Sequence, residues 1–306
     1  MWKVIVNPTS GSGKAAKKIG VIEAKLKAAG IAYQLEFTSR QGHAIELAKA
    51  AVQDGFRQII VVGGDGTNHE VMNGIMQQNV LPSEAVTLCL MPVGTGNDWI
   101  RTHKISRDVD VIIQNIKSGK TQLQDVGKAT FQTPNGRGER YFINVAGLAY
   151  DAFIARQMNE NPRFVKNKLV YFYLILRCLF QYKPQKTRIT FNNQQFEDEY
   201  YTINIGICRY SGGGMQLVPH AVPDDGLFAF TSVKSMPVLG VLASTPYLYG
   251  GRISKHPKAF VTQTETLRIE SLDNQPILLE LDGEYLGNSP VEFEVLPRAI
   301  RFVSND

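Results

Sequence analysis

Val61-Val62-Gly63-Gly64-Asp65-Gly66-Thr67 is the stretch on which the fold of this chain turns. It continues Gln58-Ile59-Ile60, and together they form an apolar, β-branched run of the kind that fills a buried parallel strand. After it, Asn68 to Gln78 carries Val71, Met72 and Ile75 at the spacing of one face of a short helix. The glycines therefore fall at a strand-to-helix turn, where backbone N–H groups and the helix dipole favour an anion. Gly63, Gly64 and Gly66 allow positive φ and present no Cβ to block a phosphate. Asp65 is the odd member, because a carboxylate beside phosphates repels them unless a cation intervenes. It points to Mg²⁺ bound with a nucleotide or to a proton acceptor, against the plain alternative of a tight Gly/Asp turn.

The flanking segments repeat the pattern. Lys3 to Val6 reads as a first strand, ending at Asn7-Pro8-Thr9-Ser10-Gly11-Ser12-Gly13-Lys14. A helix follows to Ala29, with Ile19, Ile22, Leu26 and Ala29 on one face, and Gly30 stops it. As a Walker A loop this turn fails: Pro8 stands at the first glycine position and Ala15 replaces the Mg²⁺-binding Ser/Thr. The looser dinucleotide pattern Gly11-x-Gly13-x-x-Ala16 fits, with Glu36 as a candidate ribose ligand. Common to both is a phosphate-facing loop with Lys14 as counter-charge.

Tyr33 to Phe37 makes a second strand, and Thr38-Ser39-Arg40-Gln41-Gly42 leads into a helix over Ala44 to Gln53. Val86 to Met91 is a fourth strand, ending in Pro92-Val93-Gly94-Thr95-Gly96-Asn97-Asp98, and Val109 to Lys117 is a helix closed by Ser118-Gly119. This alternation predicts a doubly wound, Rossmann-like parallel sheet with ligands beyond the strands' carboxyl ends. The polar, glycine-rich turns then share one rim.

Near Gln122 the period changes to two. Strands are expected at Gln122–Phe131, Arg140–Ala146, Thr187–Phe191, Tyr200–Ile207, Leu227–Val233, Ala259–Thr264, Thr266–Ser271 and Ile277–Leu281. They define an antiparallel β-sandwich interrupted by helical segments at Pro162–Tyr182 and Pro237–Tyr249. The fold class is thus α/β plus β. A nucleotide-binding domain over 1–123 precedes a β domain over 124–290, and the β-like stretch 291–306 returns to the first.

Composition bounds the function. At 306 residues, 43% hydrophobic and 20% charged, the chain is a folded protein large enough for two cores. A net charge of +5 and a sequence pI near 9.0 favour an anionic partner: nucleotide, nucleic acid or acidic membrane. Cys89, Cys178 and Cys208 form no C-x-x-C pair and fit reduced thiols in the cytoplasm. His69-Glu70 begins like H-E-x-x-H, but Asn73 stands where the second histidine belongs, which excludes that zinc motif. Trp2 to Val6 is too short for a signal-peptide core, and Leu169 to Leu176, closed by Arg177, is too short to span a bilayer.

The ordered set of motifs resembles the diacylglycerol kinase catalytic-domain family, the soluble bacterial lipid kinases related to sphingosine kinases and more distantly to NAD kinases. Carrying that resemblance are Asn7-Pro8 with its Gly/Ser loop, Gly63 to Thr67, and Pro92-x-Gly94-Thr95-x-Asn97-Asp98. Tyr141 to Gly147, Gly212-Gly213-Gly214-Met215, Pro219-x-Ala221, Asp224-Asp225-Gly226-Leu227 and Asp282-Gly283-Glu284 follow in order. Asn68-His69, Ala149 and Cys208 depart from the family's usual Ile-Asn, glycine and asparagine.

The resemblance implies ATP held by Asn7, Ser10, Gly11, Ser12, Gly13, Lys14, Thr38, Gly63, Gly64, Asp65, Gly66, Thr67, Asn68, His69, Gly94, Thr95 and Asn97. It implies one Mg²⁺ with the nucleotide and a second, structural Mg²⁺ on the carbonyls of Val222 and Leu227 and the carboxylate of Asp225. Asp282 or Glu284 is the expected proton acceptor, with Glu284 preferred and Asp65 as a further catalytic acid. The implied activity is transfer of the γ-phosphoryl group of ATP to a hydroxyl of a membrane lipid, diacylglycerol-like, in the cleft between the domains. The alternatives are an NAD-kinase-like enzyme with a soluble nucleoside acceptor and a non-catalytic nucleotide sensor. The expected partner is a lipid at a membrane surface, met peripherally from the cytoplasm, and not a nucleic acid; the sequence leaves the oligomeric state open, with a homodimer kept in view. Pro162 to Lys186, apolar with basic flanks, is expected to be a helix packed on the β domain, with a membrane-contact role as the alternative.

Overall fold

A computed structural model describes residues 1–94, 96–160 and 168–305, with the side chains of 168–172 left aside. The chain forms two compact units, Met1–Val126 with Pro297–Asp306, and Gly127–Leu296. The first division lies three residues beyond the expected 123/124 boundary, and residues 291–296 belong to the second unit rather than returning to the first.

In the first unit the parallel strands β1 (Trp2–Val6), β2 (Tyr33–Phe37), β3 (Gln58–Gly63) and β4 (Thr87–Pro92) lie in the order β2-β1-β3-β4. Helices α1 (Ser10–Ala28), α2 (His43–Gln53), α3 (Asp65–Gln77), α4 (Asp98–His103) and α5 (Val109–Ser118) connect and cover them. All of β1, and β3 and β4 after their first residues, are buried, as strands covered on both faces must be. Lys3 is tolerated inside β1 because its ammonium lies 2.6 Å from the Glu36 carboxylate. That pairing gives Glu36 a structural partner beside the ribose role expected of it.

The second unit is an antiparallel sandwich. One layer runs β11 (Ala259–Thr264), β10 (Phe228–Lys234), β9 (Gln194–Gly206), β7 (Val145–Ala149), β13 (Leu278–Leu281) and, as far as Leu296, β14 (Glu284–Val303). The other joins β8 (Lys186–Phe191) to β9 and to β12 (Thr266–Ser271), β12 to β14, and β5 (Thr121–Thr133) to β14 and β6 (Gly136–Phe142). Two long strands serve both layers: β9 pairs with β8 through Gln194–Glu199 and with β7 through Thr202–Gly206. Phe142 stacks on Phe228 at 5.8 Å and meets Phe293 edge-on at 6.1 Å in the shared core. Gly127 is required there, since a Cβ would collide with the Phe142 ring.

Two local readings are corrected. The strand expected over Arg140–Ala146 is broken into β6 and β7, because the N–H groups of Ile143, Asn144 and Val145 are taken by the Asp282 carboxylate instead of a neighbouring strand. Helix α6 (Tyr150–Glu160), absent from the sequence reading, follows β7 directly, and Ala149 makes the change of direction at φ +69°. Helices α7 (Lys168–Gln181) and α8 (Val238–Tyr249) match the expected segments, while Pro162 to Asn167 lie outside the described residues.

Candidate active site

Three glycine-bearing turns of the first unit are stitched together by short polar side chains. Asn7, at the end of β1, donates to Thr67 Oγ1 at 3.0 Å and accepts from the Thr9 N–H and hydroxyl at 3.1 and 2.8 Å. The Ser10 hydroxyl lies 3.3 Å from the same Thr67 oxygen. Gly11, Ser12 and Gly13 all adopt left-handed φ, and a Cβ on Gly11 would strike the carbonyl of Val93. Ser12 holds this conformation without glycine's freedom, a strain of order 1–2 kcal/mol that is typical of ligand-facing turns.

Asp65 joins the other two turns. Its carboxylate accepts from the N–H of Asp98 at 3.1 Å and of Trp99 at 3.3 Å, the first residues of α4. Gly64 and Gly94 touch: a Cβ on Gly94 would come within 3.1 Å of the Gly64 Cα. Asn97, at φ +50°, donates to the Gly94 carbonyl at 2.8 Å, while its buried Oδ1 has no partner among the described residues. Trp99 and His103 then share the Gln124 carbonyl, at 2.8 and 2.7 Å, and burial pushes the His103 imidazole down to about 4.

The N-cap residue of α3 is Gly64, which has no side chain to cap the first turn, and the positive end of the helix dipole favours an anion there. Gly66 is exposed, lacks positive φ, and a Cβ there would meet nothing within 4 Å. Neither packing nor backbone demands glycine at that position, and its bareness leaves room for a ligand to approach the main chain. A cavity of about 500 Å³ opens beside it, lined by Asn7, Ser10, Thr38, Gly64, Gly66 and Thr67 among others. Arg40 and Glu70, which sequence reasoning passed over, also line this cavity. Glu70 accepts from the N–H groups of Gly42 and Ala44 and so holds the start of α2.

Some expected ligands are placed differently. Asn68 and His69 are fully buried on the inner face of α3, so their side chains do not face this cavity. Lys14 and Ser12 are exposed, and Thr95 lies outside the described residues.

The acids of the second unit divide by environment. Asp282, at φ +51°, accepts from Ile143 N–H at 3.0 Å, Asn144 N–H at 2.9 Å and Val145 N–H at 3.1 Å. Its carboxylate is thereby committed to holding a loop. Glu284 is partly exposed, and the Arg140 guanidinium stands 3.9 Å from its carboxylate. Behind them lies a buried pair that the sequence reading did not single out. Burial drives the Glu280 carboxyl well above its usual range, opposed by a 2.6 Å bond from the Gly283 N–H. Burial likewise raises Asp151 to about 6, against hydrogen bonds from Thr202 and Asn204. Gly147 makes room for the Glu280 carboxyl, which a Cβ would displace. The signal was available: Glu280 is the charged residue of the buried strand Leu278-Leu279-Glu280-Leu281.

Asp225 folds an Asx turn, accepting from the Leu227 N–H at 3.0 Å and from the Gln263 amide at 3.1 Å, with Gly226 at φ +77°. Among the described residues no group of three or more His, Cys, Asp or Glu side chains could hold a metal. Mg²⁺ needs fewer protein ligands than that, since it keeps several waters. One carboxylate beside nucleotide phosphates at Asp65, or beside main-chain carbonyls at Asp225, is a donor set of the right chemistry. A larger cavity of about 890 Å³ in the second unit is lined by charges that already pair, such as Arg137 and Arg268 with Glu292.

Comparison with known proteins agrees with this arrangement. Residues 1–129 match the diacylglycerol kinase catalytic domain, and residues 144–304 match the YegS C-terminal NAD kinase beta sandwich-like domain. A diacylglycerol kinase of Staphylococcus haemolyticus (strain JCSC1435) is 30% identical over 97% of this chain and 86% of its own length. One from Staphylococcus carnosus (strain TM300) is 28% identical over 95% and 90%. The crystal structure of a candidate diacylglycerol kinase from Bacillus anthracis str. Sterne superposes with a TM-score of 0.79 at 26% identity, covering 99% of this chain and 94% of that one. The chain belongs to the diacylglycerol kinase catalytic-domain family, and its relatives make it a kinase.

Proposed function

We propose that this protein transfers the γ-phosphoryl group of ATP to a hydroxyl of a membrane lipid, with a diacylglycerol as the closest match in chemistry. The observation that supports the proposal is the cavity at the glycine-capped start of α3, lined by Asn7, Ser10, Gly64, Gly66 and Thr67. Such a turn receives phosphate oxygens through backbone N–H groups whose positions are fixed before the ligand arrives. Lys14, exposed, supplies mobile positive charge, and Arg40, exposed and paired with Glu46 at 2.7 Å, lies at the cavity's edge.

In the reaction the lipid hydroxyl oxygen bonds to the γ-phosphorus as the bond from that phosphorus to the β–γ bridging oxygen breaks, and ADP leaves. The hydroxyl proton passes to the Glu284 carboxylate. Asp282 fixes the turn that carries Glu284 by gripping residues 143–145, so we assign Asp282 to positioning. When bound with ATP, Mg²⁺ neutralises phosphate charge, and Asp65 is the residue that would hold it; a second ion would be held by Asp225 with the carbonyls of Val222 and Leu227. Asp65 also keeps the second and third glycine turns in register.

The three buried cysteines, with no disulfide among them, support a cytoplasmic protein that meets its lipid at the membrane surface. Among the described residues no helix is long and apolar enough to cross a membrane. The test is a panel of lipids presented with γ-labelled ATP. Label should pass to diacylglycerol; label on no lipid, or on a soluble nucleoside instead, rules the proposal out.

A further inference from the structure

Helix α8 is apolar on both sides. Val238 and Val241 face inward and pack on the cluster of Tyr150, Leu174, Cys178, Leu179 and Tyr201. On the other side Leu239, Leu242, Pro246 and Tyr249 recur at helical spacing and are all exposed, Leu239 to 79% and Tyr249 to 57%. Isolated exposed apolar residues are ordinary, but a continuous stripe along a whole helix is not. Helix α7, on the same cluster, also turns Tyr173 and Phe180 outward, with Arg177 between them.

Charge decides what covers the stripe. Between Asp225 and Glu265 the chain contains no acidic residue, while Lys234, Arg252, Lys255 and Lys258 are all basic. Arg252 and Lys255 lie just past the C-terminal end of α8, are exposed, and form no ion pair among the described residues. An apolar stripe bordered by cations, with a tyrosine at its edge, complements the acyl boundary and headgroups of an anionic bilayer. As a refinement resting on the lipid-kinase assignment above, we propose that the outward face of α8 is the surface by which this protein docks on an anionic membrane. The helix lies in the plane of the interface, with Leu239 and Leu242 in the acyl boundary and Arg252 and Lys255 against the headgroups.

Flotation of the full chain with phosphatidylglycerol-containing vesicles, and with pure phosphatidylcholine vesicles, tests this without nucleotide or turnover. The parent should float with the anionic vesicles only, and less so in high salt. Leu239→Glu with Leu242→Glu should lower binding by about tenfold or more. Arg252→Glu with Lys255→Glu should lower it by at least about 25-fold, from about fivefold for each cation at about 1 kcal/mol. The second pair, wholly on the surface, should melt like the parent and keeps the test valid if the first pair unfolds. Anionic binding that both pairs abolish supports docking even if the parent phosphorylates no lipid, in which case the kinase assignment fails and the surface stands. Equal binding to neutral vesicles, no binding by the parent, or parent-like binding by the Arg252/Lys255 pair overturns the proposal. A folded Leu239/Leu242 variant that turns a dimer into a monomer while still floating also overturns it and assigns the face to a second copy.

Discussion

Asp65 and Asp282 stand in two motifs of similar appearance, each an acid after an apolar strand with a glycine next to it. Both carboxylates accept N–H groups from the backbone of another segment: Asp65 from the start of α4, Asp282 from the loop between β6 and β7. What differs is what each turn leaves open. The turn at Asp65 opens beside a cavity at a helix start, where the helix dipole favours an anion. The turn at Asp282 presents a second acid, Glu284, which can take a proton. An acid in a glycine turn therefore has a structural duty as well as any chemical one, and the reacting groups can be its neighbours.

That comparison can be broken by isosteric replacement. Asp65→Asn and Asp282→Asn each turn a charged acceptor of backbone N–H groups into a neutral one, and each should destabilise its unit by about 1–3 kcal/mol. Turnover should fall by orders of magnitude in both, because both fix active turns. Nucleotide affinity separates them: it should weaken for Asp65→Asn and hold for Asp282→Asn. Equal effects on affinity would show that the two turns do not divide the work as described.

Acid and base shift the two units in opposite senses. His103 has an ordinary value of 6.5 and is held at about 4 by burial, so the unfolded chain binds its proton first. Its contribution is complete above pH 6.5 and is lost as pH falls toward 4, reaching roughly 3 kcal/mol. Asp151 is raised from 3.8 to about 6, so its contribution is complete below pH 3.8 and is lost as pH rises through 6. Asp151→Asn should therefore stabilise the protein at neutral pH, by about 1–3 kcal/mol, and have no such effect at pH 3. Thermal melting across pH checks both signs; a variant that is less stable at neutral pH would mean that Asp151 is held ionised by its partners.

The smallest expected change is at Ala149. With φ at +69°, Ala149→Gly should raise stability by up to about 1 kcal/mol. No gain would mean that the contacts of its methyl group offset the backbone strain.

Much of this was legible in the sequence because periodicity reports burial. The strands of the first unit, and β11 and β12 of the second, stand within a residue or two of their expected limits. The glycine turns were legible from composition: Gly11 and Gly94 mark close approaches that would crowd a Cβ. Side-chain to backbone bonds between distant segments were not legible. Residues 143–145 have β-like composition, and only the carboxylate 137 or more positions away breaks the strand. The resemblance implied Asn68 and His69 as ligands, whereas the 3.6-residue period of α3 buries their side chains. Asp151 was missed because a single acid has no periodicity, and its burial comes from strands far along the chain.

The most direct test of the account is single-turnover transfer of labelled phosphate from ATP to diacylglycerol by Glu284→Gln, with nucleotide affinity measured on the same sample. Loss of the proton acceptor should slow transfer by about 10²- to 10⁴-fold and leave nucleotide affinity and melting temperature near those of the parent. Transfer at close to the parent rate by a folded, nucleotide-binding Glu284→Gln protein would contradict the assignment of the proton to this carboxylate.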